Sequence, residues 1–157
     1  MTERPRGRTF DQFAPGEVIT TARRTITEAD IVNFAGLSGD FNPLHTDEEF
    51  ARSTPFKGRI AHGMLVASVA TGLANQLGIF EGTTLALLEQ TVRYRGAVFP
   101  GDTVHLELRV ADKRPSSKPD RGVITFAAAV KNQRGETVIE GHWTLLMRRS
   151  ADEATAE

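Results

Sequence analysis

His62-Gly63-Met64-Leu65-Val66-Ala67-Ser68-Val69-Ala70-Thr71-Gly72-Leu73-Ala74-Asn75-Gln76-Leu77 decides how the rest of the chain is read. Apolar side chains recur around nearly the whole helical circumference, and most of the remaining positions are small. A helix that is apolar on every side is a buried helix. Gly63, Ala67, Ala70 and Gly72 would let neighbouring strands approach its backbone closely.

After this segment the periodicity changes. Residues 84–96, 102–113, 121–132 and 136–148 are rich in β-formers and separated by turn chemistry. Val104, Leu106, Leu108 and Val110 alternate with His105, Glu107, Arg109 and Ala111, the pattern of a half-buried strand. Ile139, Trp143, Leu145 and Met147 repeat it. Pro100-Gly101-Asp102 and Asn132-Gln133-Arg134-Gly135 read as hairpin turns, and residues 114–122 as the loop most able to move.

Before the apolar helix, Val18–Thr25 reads as a first strand. Thr27 and Asp30 form a capping box for a helix carrying Ile31, Phe34, Ala35 and Leu37, with Gly39 as its C′ residue. Pro43 prevents that helix from continuing through residues 40–46. Asp47 caps a short helix through Arg52, and a polar loop follows from Ser53 to Arg59. Helices followed by a run of antiparallel strands predict an α+β fold, a curved antiparallel sheet around a long buried central helix. Residues 1–157 are expected to form one domain, with polar tails at about 1–9 and 150–157. Such a sheet leaves edges to be covered, so a homodimer is expected.

Composition narrows the function classes. The 157 residues carry a net charge of −1, so no bulk basic field serves nucleic acid or an anionic membrane surface. There is no cysteine, which excludes disulfides, thiolate nucleophiles and Cys-based zinc sites. No apolar run reaches the roughly 20 residues of a membrane span. Met1–Arg8 is Arg-rich with no apolar stretch after it, so a cytoplasmic location is expected.

Gly39-Asp40-Phe41-Asn42-Pro43-Leu44-His45 is the segment that carries chemistry. It places two ionisable groups and an amide among apolar neighbours. Burial shifts carboxyl and imidazole groups towards the range useful for proton transfer. On an ideal helix Asp40 and His45 would point about 140° apart; the Pro43 turn frees them to converge. A structural reading stands beside this one: Asp40 terminates a helix and His45 is a satisfied loop histidine. A metal site built from Asp40, His45 and Asp47 or Glu48 is a third reading, set aside because nothing nearby in sequence supplies a second histidine. The start of the apolar helix at His62-Gly63 offers free N–H groups and a positive dipole end to a developing oxyanion. Gly63 is small enough for a carbonyl to approach, while His62 reads as structural.

Ser38-Gly39-Asp40-Phe41-Asn42-Pro43-Leu44-His45-Thr46-Asp47, followed by Arg59-Ile60-Ala61-His62-Gly63-Met64-Leu65, closely resembles the hydratase-2 motif of MaoC-like dehydratases and (R)-specific enoyl-CoA hydratases. Arg93–Thr103 is similar to the family's strand-turn-strand segment, and the resemblance spans roughly residues 20–148. It implies a hot-dog fold, usually dimeric, and reversible syn addition of water across the 2,3 double bond of an acyl-CoA thioester, or an acyl-carrier-protein thioester. It implies Asp40 and His45 as the catalytic pair, Asn42 as the residue orienting the water and the pair, and the Gly63 N–H as oxyanion-hole donor. No cofactor or metal is implied. Weaker substrate-binding candidates are His62, Thr71 (where close relatives carry Ser), and the basic residues Lys57, Arg59, Arg93 and Arg95 for the coenzyme phosphates. Two other functions share this fold: an acyl-CoA thioesterase, disfavoured because residues 62–77 contain no Asp or Glu, and a non-catalytic acyl-CoA-binding subunit.

Overall fold

The computed structural model describes residues 6–150. Much of the two expected tails, residues 1–5 and 151–157, lies outside the described residues. Residues 6–9 run as ordered chain: the Gly7 and Arg8 N–H groups donate to the Gly78 and Ile79 carbonyls at 2.8 and 2.7 Å. Ser150 is likewise tied to Asp11 and Thr9.

Short strands β1 (Val18–Thr20) and β2 (Arg24–Thr25) precede three helices, α1 (Glu28–Ser38), α2 (Pro43–Thr46) and α3 (Glu48–Ser53). The central helix α4 (Gly63–Gln76) follows, and then the long strands β3 (Thr84–Tyr94), β4 (Thr103–Pro115), β5 (Arg121–Lys131) and β6 (Thr137–Arg148). The sheet is antiparallel with order β1-β4-β5-β6-β3, and β2 also pairs with β4. This is the hot-dog arrangement expected from the sequence.

The inward alternation holds in detail. Val104, Leu106, Leu108 and Val110 on β4 are buried, as are Ile139, Trp143, Leu145 and Met147 on β6. They face Leu65, Val66, Ala67, Val69, Ala70, Leu73 and Ala74 of α4 in one core. Each fully buried Val or Leu contributes about 1.5–3 kcal/mol, so this seam is the main source of cohesion. Phe13, Phe80 and Phe126 close one end of it, with ring centroids 5.4–6.1 Å apart.

Several expectations change. The central helix is not covered on every side. Met64, Ser68, Thr71, Gly72 and Asn75 are exposed, because these mostly small or polar residues fall at helical spacing on a single stripe. The Val18–Thr25 strand splits in two, because the Thr21 hydroxyl accepts the Leu106 N–H (2.9 Å) and Thr21 turns inward. Pro100-Gly101-Asp102 is a turn but not a hairpin: β3 and β4 are not neighbours, and the turn instead bonds back to Ile26. The expected loop 114–122 is shorter than its bounds: residues 114–115 and 121–122 are strand, leaving residues 116–120 as a hairpin connection. Leu37, assigned to the apolar stripe of α1, is exposed, while Ile31 and Ala35 are buried. Among the described residues no helix is long and apolar enough to cross a membrane.

Helix α1 is set as the sequence specifies. The Thr27 side chain accepts the Asp30 N–H, and the Asp30 carboxylate accepts the Thr27 N–H at 2.9 Å. That N–H, above all, holds the Asp30 carboxyl below its ordinary value of 3.8. Gly39 ends the helix in the left-handed region at φ 75°, which glycine adopts without strain. Thr27→Ala is expected to lower stability by about 1 kcal/mol in urea unfolding. Because the folded-state pKa of Asp30 is depressed, its stabilisation is complete above pH 3.8 and lost as pH falls through the lower folded value. Asp30→Asn should remove that part of the acid sensitivity, read as a flatter unfolding midpoint against pH.

Candidate active site

The loop after α1 is built from side chain–backbone hydrogen bonds. The Asp40 N–H donates to the Ser38 hydroxyl, and the Asp40 carboxylate accepts the Asn42 N–H at 3.1 Å. The Asn42 side-chain oxygen accepts the Leu44 N–H at 3.1 Å and caps α2, with Pro43 at its first position. Helix α2 thus presents His45. The His45 Nδ1–H donates to the Ile60 carbonyl at 2.7 Å, since a carbonyl only accepts. Among the described residues its Nε2 has no partner and is left as an acceptor.

The chain then runs into His62, the residue preceding α4. His62 is 2% exposed. Its ring stacks on His45, with centroids 3.9 Å apart and planes at 27°. Phe34 packs against it at 5.0 Å. The His62 Nε2–H donates to the Asp40 carbonyl at 2.9 Å, and its Nδ1 is buried without a partner among the described residues. A buried unpaired nitrogen of this kind costs about 1–3 kcal/mol. Donor atoms of Asp40, His45 and His62 lie within 4.8 Å of one another.

That cluster corrects one premise. A second histidine is present after all, brought in from the start of α4 rather than from the loop. The ring geometry nevertheless favours proton handling over metal binding. Metals bind in the ring plane, and two stacked rings send their lone pairs side by side rather than to one point.

The three residues open onto a cavity of about 530 Å³. Its wall includes Phe34, Phe56, Met64, Val66, Val98 and Ile139, so most of it suits an apolar ligand group. Gly63 lies in the same wall, and among the described residues its N–H has no acceptor. A Cβ on Gly63 would run into the Tyr94 ring, so a larger residue there would have to displace that ring. A carboxylate, a free imidazole nitrogen and an unused helix-start N–H thus share one cavity, a set able to hold water and polarise a carbonyl.

The structure sorts the remaining candidates. Asn42 does not line the cavity; its carboxamide caps the helix bearing His45, so it orients that residue through the backbone. Thr71 is exposed two turns along α4, bonded to the Ala67 carbonyl and away from the cavity. Arg59 is committed to Glu28 and Glu48. As acceptors, Glu28 first and Glu48 second, they bind its proton more tightly than in a free guanidinium. The same contact with Arg59 holds the Glu48 carboxyl below its usual range. Arg95 lines the cavity but is paired with Glu140. Arg93 points the other way, into a groove on the outer sheet face with Arg109 and His142, as strand alternation from Tyr94 requires. Lys57 has no ion-pair partner among the described residues, and its backbone sits in the left-handed region at φ 61°. Sequence reasoning missed the cavity residues Phe34, Met64 and Tyr94. Their spacing reads as ordinary core pattern, and only the assembled wall shows their exposure to the site.

The chain matches the profile described as MaoC like domain over residues 11–132. It is 36% identical over 139 residues to an (R)-specific enoyl-CoA hydratase of Rhodospirillum rubrum, covering 88% of this chain and 90% of that protein. Among solved structures, a monoamine oxidase regulatory protein from an Archaeoglobus species is 40% identical with a TM-score of 0.85, over 92% of this chain and 96% of that one. A conserved hypothetical protein of Mycobacterium tuberculosis with a double hot-dog fold shares the fold at 22% identity, with a TM-score of 0.82 over 95% of this chain and 46% of that one.

The Gly63–Tyr94 contact is testable by a double-mutant cycle. Gly63→Ala should destabilise the protein in thermal or urea unfolding, and Tyr94→Ala in the same chain should relieve the clash. The expected coupling is about 1 kcal/mol; strict additivity would show that the ring does not constrain position 63.

Proposed function

Because the chain belongs to the MaoC-like family, we propose that it adds water reversibly across the 2,3 double bond of a 2-enoyl thioester, forming the (R)-3-hydroxyacyl thioester. The carrying observation is the convergence of Asp40 and His45, donor atoms within 4.8 Å, on the cavity that also contains Gly63. Asp40 and His45 hold one water between them. One of the pair takes a proton from the water as its oxygen bonds to C3, the π electrons shift towards the thioester oxygen, and the pair delivers a proton to C2 from the same face as the enolate-like electrons return. The Gly63 N–H, at the positive end of α4, stabilises the enolate-like oxygen. Asn42 keeps α2, and with it His45, in register. The apolar wall takes the acyl chain, and the thioester carrier is coenzyme A or an acyl carrier protein. No step calls for a cofactor.

We also propose a homodimer paired along β3. Among the described residues this strand has a neighbour on one side only, and Leu85, Leu87 and Leu88 are exposed along it. An apolar edge strand is a template for pairing with another copy. Sedimentation analysis of wild type should give a dimer, and Leu87→Lys/Leu88→Lys should shift it towards monomer; a monomeric wild type sinks this reading.

Activity is read as loss of the conjugated enoyl absorbance with crotonyl-CoA and longer homologues. Asp40→Asn and His45→Asn should each lower kcat by about 10²- to 10⁴-fold with the fold intact by circular dichroism. A wild type inactive on a broad acyl-thioester panel, or an Asp40→Asn variant at full activity, overturns the assignment. Free thiol release in the same assay would point to thioester hydrolysis instead. The absence of any Asp or Glu from α4 makes that outcome unexpected.

A further inference from the structure

We propose that His62 is a positioning residue for this reaction, the strut that keeps Asp40 and His45 converged on one water. The inference rests on the hydratase reading above and adds to it a residue that acts through two others. Three separate contacts meet in this residue. Its Nε2–H donates to the Asp40 carbonyl at 2.9 Å, fixing the backbone that carries the carboxylate. Its ring lies against the His45 ring at 3.9 Å, with Phe34 also packed on it at 5.0 Å. Its own carbonyl accepts the Val66 N–H at 3.2 Å, so it opens α4 directly before Gly63. The carboxylate, the imidazole and the helix-start N–H are therefore referenced to one buried residue.

Two features show that the imidazole is kept for its Nε2–H and not as filler. His62 is the N-cap of a 14-residue helix but makes no side-chain cap hydrogen bond. Ser, Thr, Asp or Asn is the usual residue there, so capping is given up and the side chain is aimed back at Asp40. The second feature is Nδ1, buried with no partner among the described residues. A phenylalanine would supply the same flat wall without an unsatisfied nitrogen. What it would lack is the donor to the Asp40 carbonyl.

The test compares His62→Phe and His62→Leu, which lack the donor, with His62→Gln, whose carboxamide N–H reaches to about the depth of Nε2. Both donor-free variants should lose about 10- to 100-fold in kcat on crotonyl-CoA with KM within about twofold, as expected when reacting groups shift while the binding wall remains. His62→Gln should recover most of kcat. The second readout is the ¹⁵N spectrum of the His45 imidazole: a single Nδ1–H tautomer in wild type and His62→Gln, and a mixture in the donor-free variants. Unchanged kcat in the donor-free variants overturns the proposal. So does an equal loss in all three, since the donor would then be irrelevant. If wild type hydrates no thioester, the hydratase reading fails, and the His45 spectra still decide whether His62 positions its neighbour.

Discussion

The apolar face of α4 packed into the concave side of the sheet is the contact on which the rest of the molecule depends. Leu65, Val66, Val69, Ala70 and Leu73 meet the inward side chains of β4, β5 and β6 in one continuous core. Close packing at such a seam leaves little freedom for rotation or sliding. The start of the helix is therefore fixed in space, and with it the Gly63 N–H. Ala61 anchors the approach, its N–H bonded to the Val98 carbonyl at 2.7 Å. Everything that touches residues 60–63 inherits that placement.

The candidate site is assembled on this fixed point by bonds from functional side chains to backbone carbonyls. His45 donates to Ile60, and His62 donates to Asp40. The Leu44 carbonyl in turn accepts the Ile60 N–H. Such bonds hold the rings without engaging the atoms that face the cavity. Among the described residues the Asp40 carboxylate is bound only by a backbone N–H of its own loop, and the second ring nitrogen of His45 remains an acceptor. Groups oriented in advance lose little on meeting a substrate, which is how positioning lowers a barrier.

Charge around the cavity is organised differently. Arg59 and Arg95 are held by carboxylates of neighbouring elements, Glu28 and Glu48 for one and Glu140 for the other. Arg59 ties α1 to α3 across the loop that carries Asp40, so its guanidinium serves the frame of the site. Basic residues near a phosphate-bearing ligand cannot be sorted by charge alone, because a carboxylate distant in sequence decides whether each is free. Arg93 shows the same limit in another form, since one step along β3 moves a side chain to the far face of the sheet.

The sequence by itself determined the parts that depend on local chemistry or strict periodicity. The Thr27–Asp30 capping box, the Gly39 stop, the Pro43 break and the alternation of β4 and β6 are each written within a few residues, and each is found in the fold. The Asp40–His45 spacing and the His62-Gly63 helix start belong to the same class. Tertiary structure alone decided which of these meet. It brought His62 back over 22 residues to the Asp40 carbonyl, stacked it on His45, left one stripe of α4 uncovered and turned Thr71 away from the cavity. Those outcomes follow from how a helix rotates when its larger apolar side chains seek the sheet. That rotation is set by packing between segments far apart in the chain, which no local pattern encodes.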